Sequence, residues 1–200
     1  MKKNRDPLAE WDHLPRKPKQ EWDETEFLTT TTWESMSTGS MIATSIGAFL
    51  LLLALATNRT GFLFVLDHAN LAFHEAGHLF FGILGSTMGL YGGTLGQLVF
   101  PTVTIVTFWK RRDPIGLTWG ALWYFQNFLN ISWYMADARA QQLPLVGGGD
   151  HDWTRIFSRW GVLAWDTRIA AITRWLGWFG MLAALSFLVW YWHKHREELD

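Results

Sequence analysis

Cysteine is absent from this chain of 200 residues, and glutamate is almost absent from its central part. The lack of cysteine excludes disulfide bonds, cysteine-ligated zinc sites and thiol nucleophiles. Glu75 is the only glutamate between Glu34 and Glu197, so a site in the middle of the chain has few carboxylates to use. The net charge of −1, without a basic stretch interleaved with aromatic residues, argues against nucleic acid as a partner.

Charge is also missing from several long apolar stretches. Hydrophobic residues make up 49% of the chain and 14 residues are tryptophan, and the apolar residues are gathered in blocks. Blocks of this length are typical of membrane proteins. We therefore predict an all-α fold, a polytopic membrane helical bundle with about five transmembrane helices. The expected location is integral and multi-pass in a lipid bilayer, such as a bacterial inner membrane.

The order of these blocks predicts the domain organisation. The predicted spans cover residues 41–57, 62–84, 98–109, 115–136 and 169–192. The remaining segments are a polar, disordered tail over 1–40, a glycine-rich re-entrant or hairpin loop over 85–96, a polar connection over 137–168 and a charged tail over 193–200. A cleaved signal peptide is the alternative for the first span, because Ala54-Leu55-Ala56 resembles a cleavage site, but the polar leader is too long for one.

The second span contains an H-E-x-x-H motif, His74-Glu75-Ala76-Gly77-His78. On a helix the two histidines share one face and can bind a single Zn²⁺, while the glutamate reaches the water that the metal activates. Ionisable side chains in the middle of a membrane cost about 2.5–3.5 kcal/mol each, so a group of three indicates a functional interior. The motif therefore predicts a zinc site at membrane depth.

Polar side chains continue along this helix and recur on the fourth span. Asp67 shares a face with His74, where it is either a hydrogen-bond partner of a ligand histidine or an aspartate at the membrane interface. Asn127 and Asn130 form a second polar stripe, which ends at Asp137. We expect the two stripes to face each other. The alternative is that the asparagines only join helices by hydrogen bonds.

A hydrolytic zinc site normally has a third protein ligand. The only later glutamates, Glu197 and Glu198, lie at the extreme C-terminus, so a thermolysin-like site has no other candidate. Phe81 and Leu84 stand where a metzincin has glycine and a third histidine. The remaining candidates are Asp137 and the Asp150-His151-Asp152 cluster. His151 is the main rival of Asp137, because the glycine run before it can let it fold back over the metal. It is otherwise part of an ordinary loop turn.

The H-E-x-x-H span, the glycine-rich segment after it and the asparagines ahead of an aspartate together resemble the core of the site-2 proteases. These are intramembrane zinc metalloproteases, and the resemblance covers about residues 62–139. It implies that His74, His78 and Asp137 bind zinc, while His151 remains the alternative third ligand on the residues alone. It also implies that Glu75 is the catalytic base.

The predicted function is hydrolysis of a peptide bond in a membrane-embedded or membrane-proximal protein substrate, with Glu75 as general base for zinc-activated water. Gln97 is either a substrate contact or an amide that caps a loop. Residues 93–97 and 147–153 also resemble uncharacterised bacterial membrane proteins with an H-E-x-G-H motif, for which no activity is implied. The alternative is a non-proteolytic metal-binding membrane protein: a di-metal oxidase that also uses His68, a metal transporter or an inactive scaffold.

Overall fold

The computed structural model of the protein describes residues 32–58, 63–146 and 150–196. Over these residues the protein is all-helical, which confirms the all-α part of the predicted fold class. The six α-helices are α1 (Thr38–Thr57), α2 (Phe64–Gly82), α3 (Ser86–Arg111), α4 (Pro114–Ala136), α5 (Asp152–Arg159) and α6 (Asp166–His195). A short 3-10 helix at Leu163–Trp165 leads directly into α6.

Among the described residues, two helical segments are long and apolar enough to cross a membrane. They are Thr38–Thr57, which is α1, and Leu163–His195, which is α6 with the 3-10 helix before it. At about 1.5 Å per residue, α1 is about 30 Å long, the thickness of the hydrocarbon core of a bilayer. The helices α2, α3 and α4 have a similar length but carry more polar side chains, which form the site described below.

The helices α2 and α3 form a tightly packed hairpin around Gly85, whose φ of 112° suits glycine. The loop predicted over 85–96 is wrong, because all of it after Gly85 belongs to α3. Its glycines lie where the two helix backbones touch. A Cβ atom at Gly77 would be 2.1 Å from the carbonyl oxygen of Gly92, and one at Gly96 would be 2.6 Å from the Cα atom of Gly77. Small residues permit such close helix packing, so the glycines mark a contact surface.

The helix α4 packs against α3 on one side and α6 on another. It begins after Asp113, whose carboxylate accepts hydrogen bonds from the backbone N–H groups of Ile115 and Gly116. On the α6 side, a Cβ atom at Gly180 would be 2.1 Å from the ring of Phe125. On the α3 side, a Cβ atom at Gly116 would be 2.2 Å from the ring of Phe108. Close contacts on both sides therefore fix the position of α4, which carries several polar side chains of the site.

The beginning of α1 lies beside the beginning of α4. The backbone N–H of Glu34 donates to the carbonyl oxygen of Arg112 at 2.9 Å. The beginning of α2, in contrast, lies part-way along α4, where Asp67 accepts a hydrogen bond from Gln126. These contacts place helix ends relative to one another and not relative to a membrane, so the order of five complete spans stays a prediction.

Part of the predicted polar tail is packed against the helices. The Trp33 and Trp109 rings meet edge to face, with 5.4 Å between their centroids. The Tyr191 hydroxyl donates to the carbonyl oxygen of Glu34 at 3.0 Å, and Met36 is buried. Packed structure thus begins before residue 38, in contrast to the disordered tail predicted over 1–40. Residues 1–31 of that tail, and 197–200 of the C-terminal tail, lie outside the described residues.

Part of the interior of the bundle is polar, beside its apolar core clusters, and much of its outside is apolar. The buried polar side chains include Asp67, Asn70, His74, Gln97, Thr118, Gln126 and Asn127. The exposed apolar side chains include Phe49, Val65, Leu79, Phe80, Val103, Ile172, Trp175 and Phe179. Apolar side chains on the outside and polar ones inside are the arrangement expected of helices surrounded by lipid.

Candidate metal centre

His74 and His78 lie one turn apart on α2, and α3 holds both imidazole rings. The Nδ1 atom of His74 is 2.9 Å from Oε1 of Gln97, and the Nδ1 atom of His78 is 2.8 Å from the carbonyl oxygen of Gly89. Both oxygens can only accept, so each Nδ1 carries the proton and donates it. In the neutral imidazole each Nε2 atom then has a free lone pair, which is the usual arrangement of a metal-ligating histidine, whereas in the protonated imidazolium Nε2 is a second hydrogen-bond donor.

The third member of the site is Asp152, the first residue of α5. Its Oδ2 atom lies 3.0 Å from Nε2 of His74 and 3.0 Å from Nε2 of His78. Burial acts to raise the pKa of Asp152, but the hydrogen bonds with the two histidines outweigh it and hold the pKa below its usual range. Asp152 is therefore ionised at neutral pH, the form in which a carboxylate binds a metal.

The short helix α5 brings Asp152 to the histidines from a distant part of the sequence. Trp153, Ile156 and Phe157 are buried on one side of α5, which contacts α3 and α4. Just after α5, the indole N–H of Trp160 donates to the Tyr91 hydroxyl of α3 at 3.0 Å. Apolar packing of α5 thus fixes the position of the carboxylate.

These three side chains fit a divalent metal ion. Their ligand atoms all lie within 4.8 Å of one another. Ligand atoms at about 2.0–2.1 Å from a tetrahedral zinc ion are about 3.3 Å apart, and the two N–O distances of 3.0 Å are close to that value. Two imidazole nitrogens and a carboxylate oxygen are a donor set that zinc accepts, with a fourth position left for water.

Comparison with known proteins gives no function for this group of side chains. No family model, curated protein or solved structure matches this chain. The chemistry of the site is therefore argued from the converging ligand atoms and their hydrogen-bond partners.

Glu75, the glutamate of the motif, lies half-buried next to the two histidines on α2. Its charge acts on His78 and on Tyr134 of α4, so the carboxylate is close to the ligand atoms. Within the described parts of the chain, no group donates a hydrogen bond to this carboxylate.

A buried network of amide side chains lies behind His74. The Nε2 atom of Gln97 donates to Oδ1 of Asn127 at 3.1 Å and to Oδ1 of Asn130 at 3.4 Å. Asn130 in turn donates to Oδ1 of Asp67 at 2.9 Å. The prediction that the polar stripes of α2 and α4 face each other is confirmed. Asp67, Asn127 and Asn130 reach His74 through Gln97.

Two more side chains extend this network: Asn70, which the helical spacing places on the polar stripe of α2, and Gln126 of α4, which the sequence pattern did not indicate. Gln126 donates to Oδ1 of Asp67 at 2.8 Å and accepts from Asn70 at 2.8 Å. Asn70 also accepts from the indole N–H of Trp123 at 2.9 Å. All of these groups are paired, as buried polar groups must be. The network thus fixes α2 against α4 next to the site.

Tyr134 of α4 supports Asp152. The backbone N–H of Asp152 donates to the Tyr134 hydroxyl at 3.2 Å, and this hydroxyl lies 3.5 Å from Oδ2 of Asp152. The Tyr134 ring also meets the His74 ring edge to face, with 5.7 Å between centroids. Its position four residues after Asn130 is the sequence signal that places it on the same stripe.

Asp137 and His151, the two predicted third ligands, lie next to each other and outside the group of converging ligand atoms. The carboxylate of Asp137 accepts from the backbone N–H groups of Gln142 at 2.9 Å and Leu143 at 3.0 Å, which shapes the chain after α4. The Nε2 atom of His151 lies 3.5 Å from Oδ2 of Asp137, and its Nδ1 atom caps α5 by accepting from the N–H of Thr154. Burial lowers the pKa of His151 despite the Asp137 carboxylate. The third member of the group with His74 and His78 is Asp152, and not Asp137 or His151.

His68, which the di-metal alternative requires, lies elsewhere on α2. It is exposed, and its Nδ1 atom is 2.6 Å from the carbonyl oxygen of Phe64 in the same helix. The group that can hold a metal contains His74, His78 and Asp152 without it. The glycine run at 147–149, predicted as the lead-in to His151, lies outside the described residues.

Proposed function

We propose that the protein is a zinc-dependent intramembrane metalloprotease of the site-2 protease-like type. The observation that carries this proposal is the convergence of the Nε2 atoms of His74 and His78 on Oδ2 of Asp152, with Glu75 beside them. The donor set suits Zn²⁺ as the cofactor. In this proposal Asp152 is the third ligand, in place of Asp137.

Hydrolysis of a peptide bond needs a base for the attacking water and an acid for the leaving amine. When bound, zinc supplies Lewis acidity, which polarises a carbonyl group and acidifies water. The Glu75 carboxylate accepts a proton from the attacking water and delivers it to the nitrogen of the leaving amine. Gln97 keeps the imidazole of His74 in its orientation, and Tyr134 does the same for the carboxylate of Asp152.

Access to the site is open on the side of His78. The side chain of His78 is 26% exposed, compared with 8% for His74 and 14% for Asp152. The neighbouring face of α2 carries the exposed apolar side chains of Leu79 and Phe80. An apolar face next to the opening suits a protein substrate that lies within or against a membrane.

A multi-pass membrane location is part of this proposal. It is supported by exposed apolar side chains on α3 as well as on α1 and α6, and by the polar interior between α2, α3 and α4. The surrounding bilayer is then that of a membrane such as the bacterial inner membrane. Extraction of isolated membranes with alkaline carbonate tests this location: the protein should stay with the membranes, and its release into the soluble fraction would contradict it.

A Glu75→Gln variant tests the protease function. The purified full chain is incubated in detergent with a set of epitope-tagged single-span membrane proteins, and its zinc content is measured in parallel. Removal of the general base should lower cleavage by about 100- to 10,000-fold while zinc remains bound. Glu34→Gln, which changes an exposed glutamate ahead of α1, is the matched control and should cleave like the wild type.

The other outcomes separate the alternatives. Cleavage by Glu75→Gln at the wild-type rate would contradict the catalytic role of this residue. A wild type that binds zinc and cleaves none of the reporters would favour a non-proteolytic metal-binding protein, such as a transporter or a scaffold. A wild type that binds no metal would overturn both.

A further inference from the structure

Gly93 of α3 lies directly against the two ligand rings. A Cβ atom at this position would be 2.3 Å from Nε2 of His74, 2.5 Å from Nε2 of His78 and 2.6 Å from Cε1 of His74. Non-bonded atoms of this kind approach to about 3.5–4.0 Å. The absence of a side chain at Gly93 therefore leaves the room in which the two imidazole lone pairs meet.

The neighbouring glycines of α3 have a different role. A Cβ atom at Gly92 would be 2.6 Å from the carbonyl oxygen of Gly77, and one at Gly96 would be 2.4 Å from the carbonyl oxygen of Phe73. Both glycines thus allow the backbones of α2 and α3 to touch. At Gly93 the three nearest atoms all belong to imidazole rings, so helix packing does not explain this glycine.

We infer that Gly93 is a positioning residue of the metal centre. Its bare Cα atom forms one wall of the metal pocket, and a side chain there would push the Nε2 atoms of His74 and His78 away from Asp152. The inference rests on the proposed function, because it takes the three converging side chains to be metal ligands.

The imidazole rings have little freedom to yield. The His74 ring is buried, and its Nδ1 atom is held by Gln97, which is itself held by Asn127. Moving this ring would break hydrogen bonds in the interior, where unpaired polar groups are costly. The His78 ring is more exposed, but its Nδ1 atom is bound to the carbonyl oxygen of Gly89. A side chain at Gly93 should therefore displace the Nε2 atoms of His74 and His78 from the positions in which both can bind one metal ion.

The test is metal binding by a Gly93→Ala variant of the full chain, purified in detergent and freed of metal. Zn²⁺ binding is measured by competition with a chelating dye, and Co²⁺ is added as a probe because its visible absorption reports tetrahedral coordination. The control is Gly82→Ala, where the nearest atom to a Cβ would be the Cα atom of Gly89 at 4.0 Å. Alanine is a better helix former than glycine, so helix formation does not oppose either change.

Gly93→Ala is expected to bind zinc about 100-fold more weakly than the wild type. This is the largest effect usually seen when a group that orients a metal ligand is lost. The tetrahedral Co²⁺ spectrum should disappear as well, while the helical content of the metal-free variant stays that of the wild type. Gly82→Ala should keep the wild-type affinity and spectrum. Wild-type affinity and an unchanged Co²⁺ spectrum in Gly93→Ala would overturn the inference.

A second measurement decides the question if Gly93→Ala fails to fold. Anomalous diffraction at the zinc edge locates the ion in crystals of the wild type. An ion in contact with the Cα atom of Gly93, at about 4 Å or less, supports the inference, and an ion remote from Gly93 overturns it. Failure of the wild type to bind any metal would instead count against the proposed function, so the two failures are distinguishable.

Discussion

The Nδ1 atom of His74 donates a hydrogen bond to Oε1 of Gln97 at 2.9 Å, 23 residues away in the sequence. The amide nitrogen of Gln97 donates in the opposite direction, to Asn127 and Asn130 of α4. This pairing fixes which end of the Gln97 amide faces the histidine, and therefore which imidazole nitrogen is protonated. Three helices thus cooperate to leave the Nε2 atom of His74 free for a metal.

Replacing Gln97 by leucine should weaken zinc binding by about 10- to 100-fold, because His74 loses the group that orients its ring. Competition with a chelating dye measures the change. Val103→Ala, on the exposed side of the same helix, is the control and should leave the affinity unchanged. Equal affinities of Gln97→Leu and wild type would show that this hydrogen bond does not support the site.

Tyr134→Phe should lower the zinc affinity by about 10-fold, at the lower end of such effects. The phenylalanine ring keeps the contact with His74 but removes the hydroxyl that accepts from the N–H of Asp152. The loss should appear as faster zinc release to a chelator. Tyr124→Phe, a matched change on the same helix, is the control. A release rate equal to that of the wild type would contradict the role given to the Tyr134 hydroxyl.

The glycine contact between α2 and α3 predicts a loss of stability in Gly77→Ala. The added methyl group would lie 2.1 Å from the carbonyl oxygen of Gly92, so the two helices must separate. Overpacking of this kind costs about 1–3 kcal/mol in the free energy of unfolding. Gly82→Ala, whose methyl group has room, should unfold like the wild type. Thermal unfolding of both variants in detergent measures the difference, and equal midpoints would contradict this packing.

Features that depend on local sequence were predictable. The spacing of His74 and His78 places them on one face of a helix wherever that helix lies in the fold. The same rule placed Asn127 and Asn130 on one stripe. Facing stripes follow because buried polar groups require partners, and α4 supplies partners for α2.

The third member of the site, the carboxylate of Asp152, was not predictable in this way. Asp152 is 78 residues from His74 in the sequence, and it reaches the site through the apolar packing of α5. Spacing alone does not distinguish it from Asp150 or His151. The aspartate expected from the family resemblance, Asp137, instead accepts hydrogen bonds from the backbone just after α4.

The glycine-rich segment shows a second limit of local patterns. Glycine favours turns in water-soluble chains, which led to the predicted loop over 85–96. Between closely packed helices the same residue allows the backbones to touch, as Gly92 and Gly96 do against α2. The choice between these roles depends on the partner helix, which the sequence of the segment does not contain.

The central claim is that Asp152, together with His74 and His78, holds one metal ion. The most direct measurement is the zinc content per chain of the wild type and of the paired variants Asp152→Asn and Asp137→Asn, purified in the same detergent. The wild type and Asp137→Asn should each retain about one zinc ion, and Asp152→Asn should lose it because its amide oxygen is a poor ligand. Full zinc in Asp152→Asn, with its loss from Asp137→Asn, would contradict this assignment.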